Sequence, residues 1–405
     1  MSMSNIAIKY RLYPTTEQKI MFAKTFGCCR KVYNLMLSDK IDGYKKTKKF
    51  PTVTPAKYKK IEEYSYLKEV DSLALANVQM NLQSAFRNCF SKTRKKKNGF
   101  PKYKSRKNGR NSYTTNNQNG TVAIIDNKYI KLPKIGKVKA TIHRTPEDNW
   151  VLKSATISME KDGTYYISVL FEYENKPISF IEATENNTIG LDYKSDGLYV
   201  DSNGNKADIE SKWYRKAQKR RTKQQRNLSR KIQSHIIGYN GNRPIFDKPM
   251  SDCKNIQKNR KRLAKIERKV SNQRKDALHK ESTKIANSYD FVCVETLNMK
   301  SLANKGFGNG KATMDNGYGV FLNMLDYKLA RKGGNLIKVE WNYPSSQLCN
   351  CCGFQYPFTK NLAVRDWTCP NCGDKHDRDI NAAKNIKKRG LEILKENQTS
   401  IIKVG

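Results

Sequence analysis

Ile6, Ile8, Tyr10 and Leu12 fall on one side of an extended chain, which predicts a strand that Pro14 ends. Thr15 followed by Gln18 has the pattern of a capping box and predicts a helix from there to about Leu35. A second helix is predicted over 72–90, where Leu75, Val78, Leu82, Ala85 and Cys89 make one apolar stripe at spacings of three and four. Beyond residue 120 the period drops to two. Val138, Ala140 and Ile142 alternate, and Asp162-Gly163 between 155–159 and 165–173 is a hairpin signal. Roughly the first 180 residues thus read as a β-barrel or curled sheet with a helical insertion.

A new unit begins near Thr188. A short strand over 189–193 turns at Asp196-Gly197 towards 198–201, and Ser202-Asn203-Gly204 makes a further turn. Two long helices are predicted over about 211–235 and 254–287. Ile256, Leu263, Ile266 and Val270 of the second give it a seam for an antiparallel partner. The segment between them, around 240–250, carries Gly and Pro and is expected to be a loop. The apolar run 291–294 and the run 336–339, apolar but for Lys338, predict strands covered on both faces, with a helix over 320–330 between them. This half reads as α/β.

Charge narrows the partner. The chain has 405 residues, with 78 Lys+Arg against 37 Asp+Glu, a net +41. That length has room for two or three domains at roughly 150 residues each. No apolar run approaches the ~18 residues of a membrane span, and the start lacks a signal-peptide pattern. Neither secretion nor membrane insertion is expected. Such an excess of charge calls for a polyanion. Residues 91–110 and 212–231 each hold ten Lys/Arg and no acid, and 254–284 hold twelve against three acids. Runs of this kind neutralise phosphate without reading sequence. The Lys-rich tract 92–97 is the low-complexity patch. Tyr44, Phe50, Phe100, Tyr103 and Tyr113, interleaved among these cations, are candidates to stack on unpaired bases.

Five of ten cysteines crowd one region. Cys349, Cys352, Cys369 and Cys372 form C-x2-C-x16-C-x2-C, the spacing of a four-thiolate Zn²⁺ site. Gly353 and Gly373 follow the second cysteine of each pair, where a knuckle turn favours positive φ. Four sulfurs leave no open position, so the expected zinc is structural. Cys351 could compete as a ligand, and His376 lies nearby in sequence. Cys28, Cys29, Cys89, Cys253 and Cys293 are scattered and read as small core residues.

Three carboxylates stand out as hard ligands for Mg²⁺. Asp192 shares a strand face with Gly190, which is expected to leave open space beside it. Glu295 directly follows a buried strand, at the end where α/β sheets place ligands. In the segment 376–383 two acids compete. From Asp379, positions +3, +4 and +7 are Ala382, Ala383 and Ile386, a small apolar face; from Asp377 they are Ile380, Asn381 and Lys384. Asp379 is therefore expected to point at the sheet, with Asp377 as a cap. Asp196 and Asp201 sit in predicted turns and read as structural. Three acids on two strands and one helix suggest an RNase H-like two-metal site.

Several stretches together resemble the transposon-encoded TnpB (OrfB) family, whose relatives include compact type V CRISPR effectors. They are Tyr10-Arg11-Leu12-Tyr13-Pro14, Gly99-Phe100-Pro101-Lys102-Tyr103, Lys131-Leu132-Pro133-Lys134-Ile135-Gly136, Gly190-Leu191-Asp192 and Val294-Glu295-Thr296-Leu297. Ser345-Ser346-Gln347-Leu348-Cys349, Trp367-Thr368-Cys369-Pro370-Asn371-Cys372 and Asp377-Arg378-Asp379-Ile380-Asn381-Ala382-Ala383 complete the set.

The resemblance implies a multidomain α+β protein. A wedge-type β-barrel (1–14 and 111–180) would carry an inserted helical recognition lobe (15–110). An RNase H-like RuvC domain (181–344 and 374–405) would carry an inserted zinc ribbon (345–373). It implies an RNA-guided DNA endonuclease in which Asp192, Glu295 and Asp379 hold two Mg²⁺, and Cys349, Cys352, Cys369 and Cys372 hold Zn²⁺. The partners would be a guide RNA and double-stranded DNA bearing a short adjacent motif, with one site cutting both strands to leave 5′-phosphates. A prokaryotic, cytoplasmic, nucleoid-associated monomer is expected. A CRISPR effector of the same chemistry and a non-cleaving RNA-guided DNA binder are the alternatives. A transposase that joins strands itself fits poorly. Cys351 is an extra thiol relative to the family pattern, and the tail after Lys387 has no assigned role. A guide–target heteroduplex of ~20 base pairs carries about 40 phosphates, the same size as the excess charge.

Overall fold

The computed structural model of the chain describes residues 3–91, 99–106, 111–174, 181–207, 209, 212–304, 306 and 310–402. The lysine tract 92–97 and part of the basic run 91–110 lie outside them. The chain divides into two compact units, Met1–Lys176 and Pro177–Gly405.

In the first unit strand β1 (Met3–Tyr13) leads into helix α1 (Thr16–Thr47). Thr15 and Gln18 form the reciprocal cap that their spacing predicts. The helix runs a dozen residues beyond the expected end. Its buried positions stop at Leu37, but Ile41 still packs on the core and Tyr44 stacks on Phe50, while Gly43 lets the chain at Pro51 fold back tightly and Lys40 donates to the Pro51 carbonyl at 2.8 Å. Helices α2 (Pro55–Lys59) and α3 (Ser72–Phe90) follow. Asp71 caps α3 through Leu73 N at 3.0 Å and receives the buried Thr115 hydroxyl.

Strands β2 (Asn111–Asn116), β3 (Ala123–Ile125), β4 (Tyr129–Leu132), β5 (Gly136–Thr141), β6 (Val151–Met159) and β7 (Tyr165–Glu174) join β1 in one curled antiparallel sheet, ordered β2-β6-β7-β1-β5-β4-β3. The period of two along β1 and β7 places Ile6, Ile8, Tyr10, Ile167, Val169 and Phe171 inward. This face and the inner sides of α1 and α3 form one continuous apolar core. Tyr113 is 5% exposed and packs on Phe22 and Phe26, so it is a core residue and not a stacking platform. Tyr44, Phe50, Phe100 and Tyr103 stay exposed.

The second unit has a smaller sheet. Strands β8 (Thr188–Tyr193) and β9 (Tyr199–Asp201) form a hairpin. Helix α4 (Trp213–Gln233), strands β10 (Ile236–Asn240) and β11 (Arg243–Phe246) and helix α5 (Lys254–Ser288) come next. The expected loop at 240–250 is in part this second hairpin. Asn240-Gly241 makes its turn, with Gly241 at φ 57°. Helices α4 and α5 pack on each other, with an Arg221–Glu267 ion pair at 3.2 Å.

Strand β12 (Phe291–Glu295) is followed by helices α6 (Met299–Leu302), α7 (Gly310–Asn316) and α8 (Tyr318–Ala330), strand β13 (Asn335–Val339), a small β14 (Asp366–Thr368) and β15 (Lys375–Asp377) pair, and helix α9 (Arg378–Ile402). The sheet order is β13-β12-β8-β9, with β8, β12 and β13 parallel. One face, with Ile189, Leu191, Val292 and Val294, packs on α5 and α8. The other, with Phe291, Cys293, Ile337 and Val339, packs on Ile386 of α9. Among the described residues no helix is long and apolar enough to cross a membrane.

Candidate functional site

The parity of the parallel strands decides where the acids go. Ile189 and Leu191 face α5 and α8, so Gly190 and Asp192 face α9. Phe291 and Cys293 face α9, and Glu295 has the same parity. The register pairs Leu191 with Val294, and Asp192 and Glu295 each lie one residue further on. Asp379 reaches the same place from the first turn of α9 and is 13% exposed. Ala382, Ala383 and Ile386 below it are buried. Asp377 accepts from Ile380 N at 2.9 Å, as a cap does.

Gly190 does not leave the open space expected of it. A Cβ there would lie 2.1 Å from the Ala383 carbonyl oxygen and 2.8 Å from Lys387 N. The missing side chain is filled by the backbone of α9, and this close approach brings Asp379 to the strand ends. Two turns later the contact is reversed: Gly390 of α9 leaves the space that the Cys293 side chain fills.

Burial pushes the Asp192 carboxyl well above the ordinary carboxylate range, and the negative charges of Glu295 and Asp379 push it further. Arg378 and Lys194 oppose that rise. Glu295 is also raised by burial, while the Ser345 hydroxyl and Arg378 pull it down. Lys194 Nζ lies 2.9 Å from Asp379 Oδ2, Arg365 3.3 Å from Oδ1 and Arg378 3.9 Å from Oδ1. A concentration of hard oxygen donors whose ionised form is resisted by burial is a place where a divalent cation gains most. Asp201 instead closes its own turn, accepting from Asn203 N and Asn205 N. Asp196 is exposed and pairs with Arg215 and Lys212.

The cysteine cluster is built locally. The Sγ atoms of Cys349, Cys352, Cys369 and Cys372 all lie within 4.8 Å of one another, with Cys349–Cys372 and Cys352–Cys369 at 3.7 Å. A tetrahedron with Zn–S of about 2.3 Å has edges of about 3.8 Å, so the four sulfurs fit a zinc ribbon. The two knuckles repeat one hydrogen-bond pattern. Gly353 N and Gly373 N donate to the carbonyls of Cys349 and Cys369 at 2.9 Å, and both glycines have positive φ. Cys351 is exposed and outside the cluster. The His376 ring packs at a tilt against Trp367, accepts from Asn350 Nδ2 at Nδ1, and so offers its Nε2 proton to Cys349 Sγ at 3.1 Å. This makes it a support for a thiolate and not a fifth ligand.

Beyond the acids, α4 has no buried residue, and Arg215, Lys219, Lys223, Arg226 and Arg230 line a groove along one of its faces. Sequence reasoning missed Lys194, Arg378, Ser345, Asn381 and Asn385. One of these carried a signal: Asn385 lies one helical turn after Ala382, which the sequence marks as buried.

Comparisons with known proteins cover nearly the whole chain. A family model described as "Probable transposase" matches residues 170–305, "Cas12f1-like, TNB domain" matches 318–386, and "Helix-turn-helix domain" matches 1–49. Over 3–49 the structure holds a strand and one long helix. A Streptomyces pristinaespiralis protein named "Putative RNA-guided DNA endonuclease" is 32% identical over 400 residues, spanning 95% of this chain and 89% of that one. "Putative RNA-guided DNA endonuclease InsQ" of Escherichia coli K12 is 26% identical over 96% of this chain and 93% of its own. Among solved structures, a Cas12f1 chain in complex with sgRNA and target DNA shares the fold at a TM-score of 0.55 and 13% identity, over 95% of this chain and 99% of that one. With that identity sustained along both chains and the matched models in order, the chain belongs to the transposon-encoded TnpB (OrfB) family, which is related to the type V effectors.

Proposed function

We propose that this chain is an RNA-guided DNA endonuclease whose acidic site, Asp192, Glu295 and Asp379, hydrolyses phosphodiester bonds with two Mg²⁺ ions. The observation that carries this is the arrival of three acids from β8, β12 and α9 on one face at one end of a sheet. The relatives' names and the fold shared with a guide-loaded complex support the partners, a guide RNA and a double-stranded DNA target beside a short motif.

When bound, hard divalent cations would supply Lewis-acid activation of the scissile phosphate and of the attacking water. The protein's own part is electrostatic and geometric. Asp192 and Glu295 are resisted as anions by burial, which favours a cation over bulk ionisation. Lys194 and Arg378 keep the acids from repelling one another and from repelling an incoming phosphate. The cationic face of α4 offers phosphate contacts. Four thiolates with no open position hold a structural Zn²⁺.

In this reading residues 1–14 and 111–180 are the wedge domain and 15–110 the recognition lobe. Residues 181–344 and 374–405 are the RuvC domain, and 345–373 the ribbon. The monomeric protein acts in a prokaryotic cytoplasm on nucleoid DNA. Sequencing the RNA that copurifies with it separates a transposon-end guide from a CRISPR-type one. The test is cleavage of a matched plasmid, with Mg²⁺, by protein co-expressed with its 3′-flanking RNA. Asp192→Ala should reduce cutting to background while RNA still copurifies. An intact protein that cuts no better than Asp192→Ala defeats the reading.

A further inference from the structure

The segment Ser345-Ser346-Gln347-Leu348 leads from the acidic site into the first zinc knuckle at Cys349. We propose that Ser345 is a positioning residue for the Glu295 carboxylate. Its hold is set by α9 through a strap, residues 345–350, that runs on into the first zinc knuckle. This rests on the acidic-site reading above.

Ser345 is 3% exposed, and its hydroxyl donates to Glu295 Oε1 at 2.6 Å. Its own carbonyl accepts from Asn385 Nδ2 at 2.8 Å. The same amide donates to the Leu348 carbonyl at 2.7 Å, where Asn381 Nδ2 also donates at 2.7 Å. Asn381 Oδ1 accepts from Asn350 N at 3.0 Å and Asn350 Nδ2 at 2.8 Å. Asn381 and Asn385 are one helical turn apart and share a face. They lie two and six residues after Asp379, and are 1% and 3% exposed. Amides so deeply buried are costly unless bonded, and the strap supplies their partners.

One helix thus carries one of the acids and grips the peptide that orients another. From the strand side, Thr296 Oγ1 donates to the Val339 carbonyl at 2.6 Å and fixes the backbone next to Glu295. A glutamate on its own samples several rotamers. A short charge-assisted bond to one oxygen selects one of them and leaves Oε2 outside that bond. Loss of such a supporting contact typically costs 10–100-fold in metal affinity.

The experiment compares the full chain with Ser345→Ala, Ser345→Thr, Asn385→Ala and Asp192→Ala. Free Mn²⁺ is titrated by electron paramagnetic resonance, and the Asp192→Ala isotherm defines the background. Ser345→Ala should weaken the Asp192-dependent Mn²⁺ binding about 10-fold. It should raise the Mg²⁺ needed for half-maximal plasmid cleavage by a similar factor, with little loss of rate at saturating Mg²⁺. Zinc content and thermal midpoint should hold. Ser345→Thr, which keeps the hydroxyl, should restore affinity, and Asn385→Ala should weaken it in the same direction.

Wild-type Mn²⁺ affinity in folded Ser345→Ala overturns the proposal while leaving the acidic site intact. If Ser345→Ala does not fold, unchanged affinity in Asn385→Ala overturns it. If the unmutated chain has no Asp192-dependent Mn²⁺ binding, the acidic-site reading falls and the positioning role falls with it.

Discussion

The cysteine cluster and the acidic cluster both concentrate anionic groups in a chain of net charge +41, and they do so in opposite ways. The thiols come from two copies of one backbone turn, 24 residues from first to last, and their spacing is set by hydrogen bonds within each knuckle. The carboxylates come from residues 192, 295 and 379, and no local turn relates them. Their meeting depends on strand register, on the approach of α9 to Gly190, and on three surrounding cations. A closed sulfur site ties its metal to folding. A carboxylate site backed by protein cations can hold its charge in the fold and leave its metal exchangeable with substrate.

The largest effect is expected where that contrast is attacked at its closed end. Cys369→Ser should release zinc. Apparent zinc binding energies in small ribbons are of order 10 kcal/mol, so the ribbon should lose its fold. Metal analysis and limited proteolysis within 345–377 would show this, and a purified variant with full zinc content would refute the four-thiolate assignment. The next effect should come from Gly190→Ala. The new methyl meets helix backbone, not a flexible side chain, so a cost of about 1–3 kcal/mol or more follows. It should displace Asp379 and impair cleavage while zinc content stays unchanged. A variant with normal melting and normal cutting would show that α9 is not held where the structure has it.

The smallest effect is a pH dependence that only the acidic cluster should have. Asp192 and Glu295 are raised by burial. Their protonated forms therefore favour the fold below the ordinary carboxylate range, and that contribution is lost as pH rises through the raised values. In buffer free of divalent ions, urea unfolding should show wild type falling progressively behind Asp192→Asn as pH increases above about 4. A difference that stays flat with pH, or shrinks, would mean that Asp192 is not resisted as an anion.

The same contrast explains what was legible beforehand. Cysteine spacing is a local signal, and knuckle glycines reinforce it. The separation of Asp379 from Asp377 was legible because helical periodicity asks only what lies three, four and seven residues on. The role of Ser345 was not, because its partner is 50 residues away, although the stretch it opens is one that carries the family resemblance. The true end of α1 was hidden since no residue after Leu37 is buried and its last turns are steadied by a returning chain, which meets Lys40, Gly43 and Tyr44. The β10–β11 hairpin was misread as loop although Asn240-Gly241 is a turn signal. Ile237, Tyr239 and Ile245 are exposed there, so no buried face disciplines the pattern.

Helix α9 has a consequence for how the chain can change length. Each residue added to a helix rotates everything after it by about 100°. Asp379, the amides of Asn381 and Asn385, and the contacts opposite Gly190 and Gly390 are spread over three turns of one rigid rod. A single-codon insertion or deletion between Asp379 and Gly390 would move some of these partners out of phase with the rest. Lineages of such a protein should therefore drift freely in length at the Gly241 turn, while this stretch of α9 keeps an invariant count of residues whatever happens to its exposed side chains.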